Sequence, residues 1–80
     1  MNMELIPGKL YSFKDTRQLM CNNISFYVSV NPDDMLIFLN HIDEGRLYKC
    51  HLFLHKTNII RFLMYKEVGD DYSNFLTEHK

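Results

Sequence analysis

Apolar and polar positions alternate most clearly over residues 35–65, where three apolar-rich stretches are separated by two short polar breaks. Met35, Ile37 and Leu39 alternate with Leu36, Phe38 and Asn40. Asp43-Glu44-Gly45-Arg46 then reverses the chain into residues 47–54, and Lys56-Thr57-Asn58 reverses it again ahead of Ile60, Phe62 and Met64. Period-two patterning between turn signals predicts a meander of antiparallel strands. With Glu44-Gly45 central in the first turn, Leu39 faces Cys50, Ile37 faces Leu52 and Met35 faces Leu54. With a three-residue second loop, Leu54 meets Ile60, Leu52 meets Phe62 and Cys50 meets Met64. That register gathers one continuous apolar face. It leaves Leu36, Phe38, Phe53, Ile59, Leu63 and Tyr65 on the opposite side, among Lys49, His51, His55 and Arg61.

Upstream, Pro7-Gly8 is a turn signal, and residues 9–14 hold Leu10, Tyr11 and Phe13, which suit a first strand. Residues 15–23 are polar and predict a loop, with Leu19 and Met20 tucked beneath it. Residues 25–30 set Phe26, Val28 and Val30 against Ser25, Tyr27 and Ser29, the pattern of a strand covered on one face, and Asn31-Pro32-Asp33-Asp34 closes it as a turn. Near the end, Val68, Tyr72, Phe75 and Leu76 recur at helical spacing, with Asp70 and Asp71 at the positive end and Lys80 at the other, which predicts a helix over residues 70–78. The fold class expected is mainly β: a five-stranded antiparallel barrel or strongly bent sheet with one short C-terminal helix, in a single domain of residues 1–80. So short a helix leaves much of the outer apolar side uncovered. Phe38, Phe53, Leu63 and Tyr65, with His51 and Arg61, are therefore the expected interaction surface.

Composition narrows the function classes. A 46% hydrophobic fraction with six Phe and five Tyr supplies a packed core. A net charge of −1 provides no long-range field to draw in phosphate backbones or anionic membranes. No apolar stretch approaches the ~20 residues that span a bilayer, and residues 1–6 lack the basic start and apolar run of a secretory leader, so a cytoplasmic protein is expected. Cys21 and Cys50 do not make a disulfide framework in that setting. His51 and His55 invite a metal reading, but on one strand they stand about 13 Å apart at ~3.3 Å per residue, with Cys50 pointing the other way. The aspartates and glutamates fall mostly in turns, and no cysteine or serine carries a nucleophile signature. Neither an enzyme nor a cofactor is expected.

The Pro7-Gly8-Lys9-Leu10-Tyr11 opening and the hairpin spacing that follows resemble the SH3-like small barrels over residues 7–66, of the kind encoded by short phage accessory genes. Thirty-five residues come from Asn, Ile, Lys, Met, Phe and Tyr, the amino acids of A/T-rich codons, a bias that points to an A/T-rich genome such as that of many phages or low-GC bacteria. The resemblance implies a small protein that binds and modulates a host enzyme or defence component. A homodimer through the Phe38, Phe53 and Leu63 side is the simplest form of such binding. The other class left open is single-stranded nucleic-acid binding, with Tyr27, Phe53 and Tyr65 stacking bases beside Lys49, His51, Lys56 and Arg61.

Overall fold

The computed structural model describes residues 4–22, 25–66 and 72–79. Seven strands among them form one antiparallel sheet: β1 Leu10–Phe13, β2 Arg17–Cys21, β3 Tyr27–Val30, β4 Leu36–Glu44, β5 Tyr48–His55, β6 Asn58–Tyr65 and β7 Leu76–His79. Their spatial order is β3-β2-β6-β5-β4-β1-β7. β1 and β2 are adjacent in the chain yet have three strands, β6, β5 and β4, between them in that order, and the short link over residues 14–16 spans them because the sheet curls. The result is a half-barrel whose concave side encloses Tyr11, Phe13, Val30, Leu36, Phe38, Phe53, Ile60, Phe62 and Leu76.

The architecture agrees with the sequence in class and differs in detail. Pro7-Gly8 makes its turn with Gly8 at φ 87°, where an L side chain is strained, and the Gly8 amide donates to the Phe38 carbonyl at 2.8 Å to lay the turn along β4. Asn31 to Asp34 also turns as expected, closed by the Asp34 amide on the Asn31 carbonyl at 2.9 Å. The polar segment read as a loop instead contains β2, because Leu19 and Cys21 alternate with Gln18 and Met20 and pair across to β3 and β6. The expected helix over residues 70–78 is replaced by a 3₁₀ turn, Tyr72–Asn74, and β7; Asp70 and Asp71 lie outside the described residues. Helical spacing there reflects two core contacts, Tyr72 and Leu76, and the edge of β1 offers Leu76–His79 four paired positions that a helix would leave empty.

The hairpin registers decide which face is which. The β5–β6 loop has two residues, Lys56 and Thr57, so His55 pairs with Asn58, Phe53 with Ile60 and His51 with Phe62. This is one residue off the expected register, and a one-residue slip exchanges faces. Ile60, Phe62 and Met64 do point inward as expected, but on β5 the inward residues are His51, Phe53 and His55, and on β4 they are Leu36 and Phe38. Between Phe38 and Asn40 the β4–β5 ladder slips by one residue, a bulge at Leu39. Without it Asn40 would follow Phe38 into the core. With it Asn40 lies opposite Leu52 on the outer side, and Ile42 is turned outward as well.

Candidate functional site

Residues directly opposite in neighbouring strands share a face, so the ladders assemble the outer surface row by row. One row is Ile37, Leu54 and Ile59, and the next is Asn40, Leu52, Arg61, Met20 and Tyr27. The third is Ile42, Cys50 and Leu63, and the last is Glu44, Tyr48 and Tyr65. Among the described residues every strand lies within the sheet, and the 3₁₀ turn packs on the inner side through Tyr72. The outer rows therefore have no described element across them. Ile42 is 41% exposed, Leu63 48%, Tyr65 53% and Tyr27 63%.

Polar groups on this face are tied to one another. Arg61 rests against Cys50 and forms an ion pair with Glu44, and the Cys50 sulfur first, then the Glu44 carboxylate, hold its guanidinium above the ordinary arginine value. Cys50 is thereby fully covered although it faces outward. The Tyr48 hydroxyl donates to Tyr65 at 3.2 Å, and that bond raises the Tyr48 pKa. Lys66 closes the turn end by reaching Asp43 at 3.3 Å and the Gly45 carbonyl at 3.0 Å.

Of the six residues expected at the surface, Leu63, Tyr65 and Arg61 lie together on this face. Phe38, Phe53 and His51 do not: they are 2%, 0% and 1% exposed, inside the half-barrel. The inward placement of β4 and β5 is favoured by ring packing, since Phe53 meets Phe38 at 5.4 Å, Phe13 at 6.1 Å and Tyr11 at 6.4 Å between centroids. His51 is admitted because its polar atoms are met. In the neutral imidazole Nδ1–H donates to the Phe62 carbonyl at 3.2 Å, leaving Nε2 to accept from the Tyr72 hydroxyl at 2.7 Å. His55 lies 3.1 Å from the Asp34 carboxylate. Among the described residues no group of three or more His, Cys, Asp and Glu side chains is placed to hold a metal ion, and no helix is long and apolar enough to cross a membrane.

Sequence reading missed Ile42, Leu52, Leu54 and Arg17. Leu52 and Leu54 were assigned to the inner apolar face, Ile42 was given no place in the register, and Arg17 stood in an apparent loop. Compared with models of protein families, with curated proteins and with solved structures, the chain finds no match.

Proposed function

We propose that this chain is a non-enzymatic small binding protein of the cytoplasm that acts by protein–protein interaction through the outer face of its curled sheet. The observation that supports this reading is the exposure of Ile42 and Leu63 on either side of the Arg61-covered Cys50, with Tyr65 in the next row and half-buried Leu52, Leu54, Ile37 and Ile59 beside them, and no described element across them. At ~4.8 Å between strands and ~6.7 Å between same-face residues, the fourteen positions of these rows cover roughly 450 Å², polar Asn40, Arg61 and Glu44 included. That lies within the range for the largest patch on a soluble monomer, and below the ~800 Å² per partner of a standard interface. A second copy of the chain is the simplest occupant, held weakly. The resemblance to SH3-like phage accessory proteins extends the proposal to a host enzyme or defence component docking on the same rows.

Sedimentation velocity over a concentration series tests the self-association. Wild type is expected to associate with Kd of about 10–100 μM, and Ile42→Glu and Leu63→Glu to weaken it at least ~10-fold by placing a carboxylate in the contact, with melting temperature nearly unchanged because both side chains are already exposed. A chain that stays monomeric at millimolar concentration overturns it. Single-stranded nucleic-acid binding is the second reading, supported by the exposure of Tyr27 and Tyr65 near Arg61. It has lost Phe53 and His51 to the core, and its Arg61 is engaged by Glu44. Salt-sensitive anisotropy of a labelled oligonucleotide would favour it over the protein-binding reading.

A further inference from the structure

Among the described residues β2 and β6 pair at Met20 with Arg61 and at Cys21 with Ile60, the Asn22 amide donates to the Ile59 carbonyl just beyond, and on the Arg17 side the two strands part. The gap is a cleft of about 320 Å³ bordered by Arg17, Gln18, Tyr27, Arg61, Phe62 and Leu63, and a second recess of about 190 Å³ shares Arg17, Phe62 and Leu63 with it. Arg17 stands between the two. Its guanidinium carbon is 5.4 Å from the Phe13 ring centroid and 5.3 Å from those of Phe62 and Phe75. Rings stabilise the cation through its π face and give no acceptor to its in-plane N–H groups. Its Nε is buried without a hydrogen-bond partner, as is the Nε of Arg61. The Arg61 charge is met by Glu44, whereas among the described residues no carboxylate lies within ion-pair distance of Arg17.

A partly desolvated cation with a buried, unmet N–H is expensive unless an anion completes it, and a Met or Leu would fill the same gap without that expense. We infer that the β2–β6 cleft is a binding site for a small organic anion, whose carboxylate or phosphate pairs with Arg17 and whose apolar body lies against Phe62 and Leu63. The planar fork of the guanidinium matches either oxyanion in two parallel hydrogen bonds. Tyr27 borders the cleft and adds a hydroxyl for orientation, while the Gln18 amide is engaged by the Ser29 hydroxyl, and the volume is at the small end of ligand pockets. With a net charge of −1 the molecule as a whole does not concentrate anions, so recognition is local to this cation.

Amide and arginine Nε resonances followed by NMR during titration with phenyl phosphate test the site, with benzoate, inorganic phosphate and benzyl alcohol as separate arms. Saturable shifts at Arg17, Met20 and Leu63 are expected with Kd of about 1 mM or tighter. Inorganic phosphate and benzyl alcohol, each carrying half of the ligand, should bind at least ~10-fold more weakly. Comparable binding of benzoate assigns a general oxyanion site, and its failure beside phenyl phosphate assigns a phosphate site. Arg17→Met keeps the packing and should weaken phenyl phosphate at least ~10-fold; Arg17→Lys keeps the charge without the fork and should weaken it less. If Arg17→Met does not fold, Arg17→Gln carries the same expectation. Shifts that do not saturate in the wild type, or that persist unchanged in a folded charge-free variant, overturn the site. Because Leu63, Tyr27 and Arg61 belong to both the cleft and the proposed contact between copies, the titration is run at a concentration where sedimentation shows a monomer; a monomer that binds the anion and a dimer that ignores it are then separate results.

Discussion

Phe53 has no solvent exposure and touches three aromatic rings, so its removal deletes a large part of the core at once. Phe53→Ala should lower unfolding free energy by about 3–5 kcal/mol, a large share of the roughly 4–12 kcal/mol expected for a chain of this size, and Phe53→Asp should leave the chain unfolded by circular dichroism. A surface ring would have tolerated the aspartate. Asp34 is a residue-scale effect of opposite sign in charge. It accepts the Asn31 amide at 2.9 Å, and that bond first, then the bond with His55, hold its carboxyl below the ordinary 3.8. A carboxylate with a lowered native pKa contributes stability above its unfolded value and loses it as pH falls through the native one. Asp34→Asn keeps an oxygen for the Asn31 amide and removes the charge. Urea melts should therefore show it about 1 kcal/mol less stable than wild type at neutral pH, with the gap closing well below 3.8.

The decisive element is the β5–β6 hairpin. Its two-residue loop puts Lys56 at φ 56°, while Thr57 is not in the positive-φ region, the pattern of a II′ turn, in which glycine suits the first position. Nothing in Lys56-Thr57 announces such a turn, and Asn58 beside it favours a three-residue reading by residue preference alone. The core enforces the tighter loop because it brings Phe53 opposite Ile60 and His51 opposite Phe62. The strain at Lys56 is thus borne by tertiary packing, and Lys56→Gly should raise stability by about 0.5–1 kcal/mol in chemical denaturation with the slope unchanged. The neighbouring β4–β5 hairpin resolves a different conflict. Its bulge keeps Asn40 out of the core, and the same slip turns Ile42 outward, which creates part of the apolar outer face.

At the scale of the molecule, curling the sheet gives two faces of unequal fate, one closed on its rings and one left open. If apolar rows drive association, raising salt should hold or strengthen it, the reverse of what phosphate contacts would give. Several features were legible in the residues alone. Turn chemistry at Pro7-Gly8 and over Asn31 to Asp34 acts within four residues, and the alternation around Ile60, Phe62 and Met64 is local, so the β class, these turns and the inward side of β6 followed from sequence. The inward side of β4 and β5 did not follow, because both of their faces are apolar enough to be core and alternation is blind to which is chosen. The choice was made between distant parts of the chain: Phe13 and Tyr11 from β1 meet Phe53, and the Tyr72 hydroxyl from beyond the meander donates to His51. Arg17 likewise gains its surroundings only when β1, β6 and Phe75 converge on it. Short-range patterning determined that this chain forms strands and where several of them turn; long-range packing of rings decided which side became interior, and so which side was left open.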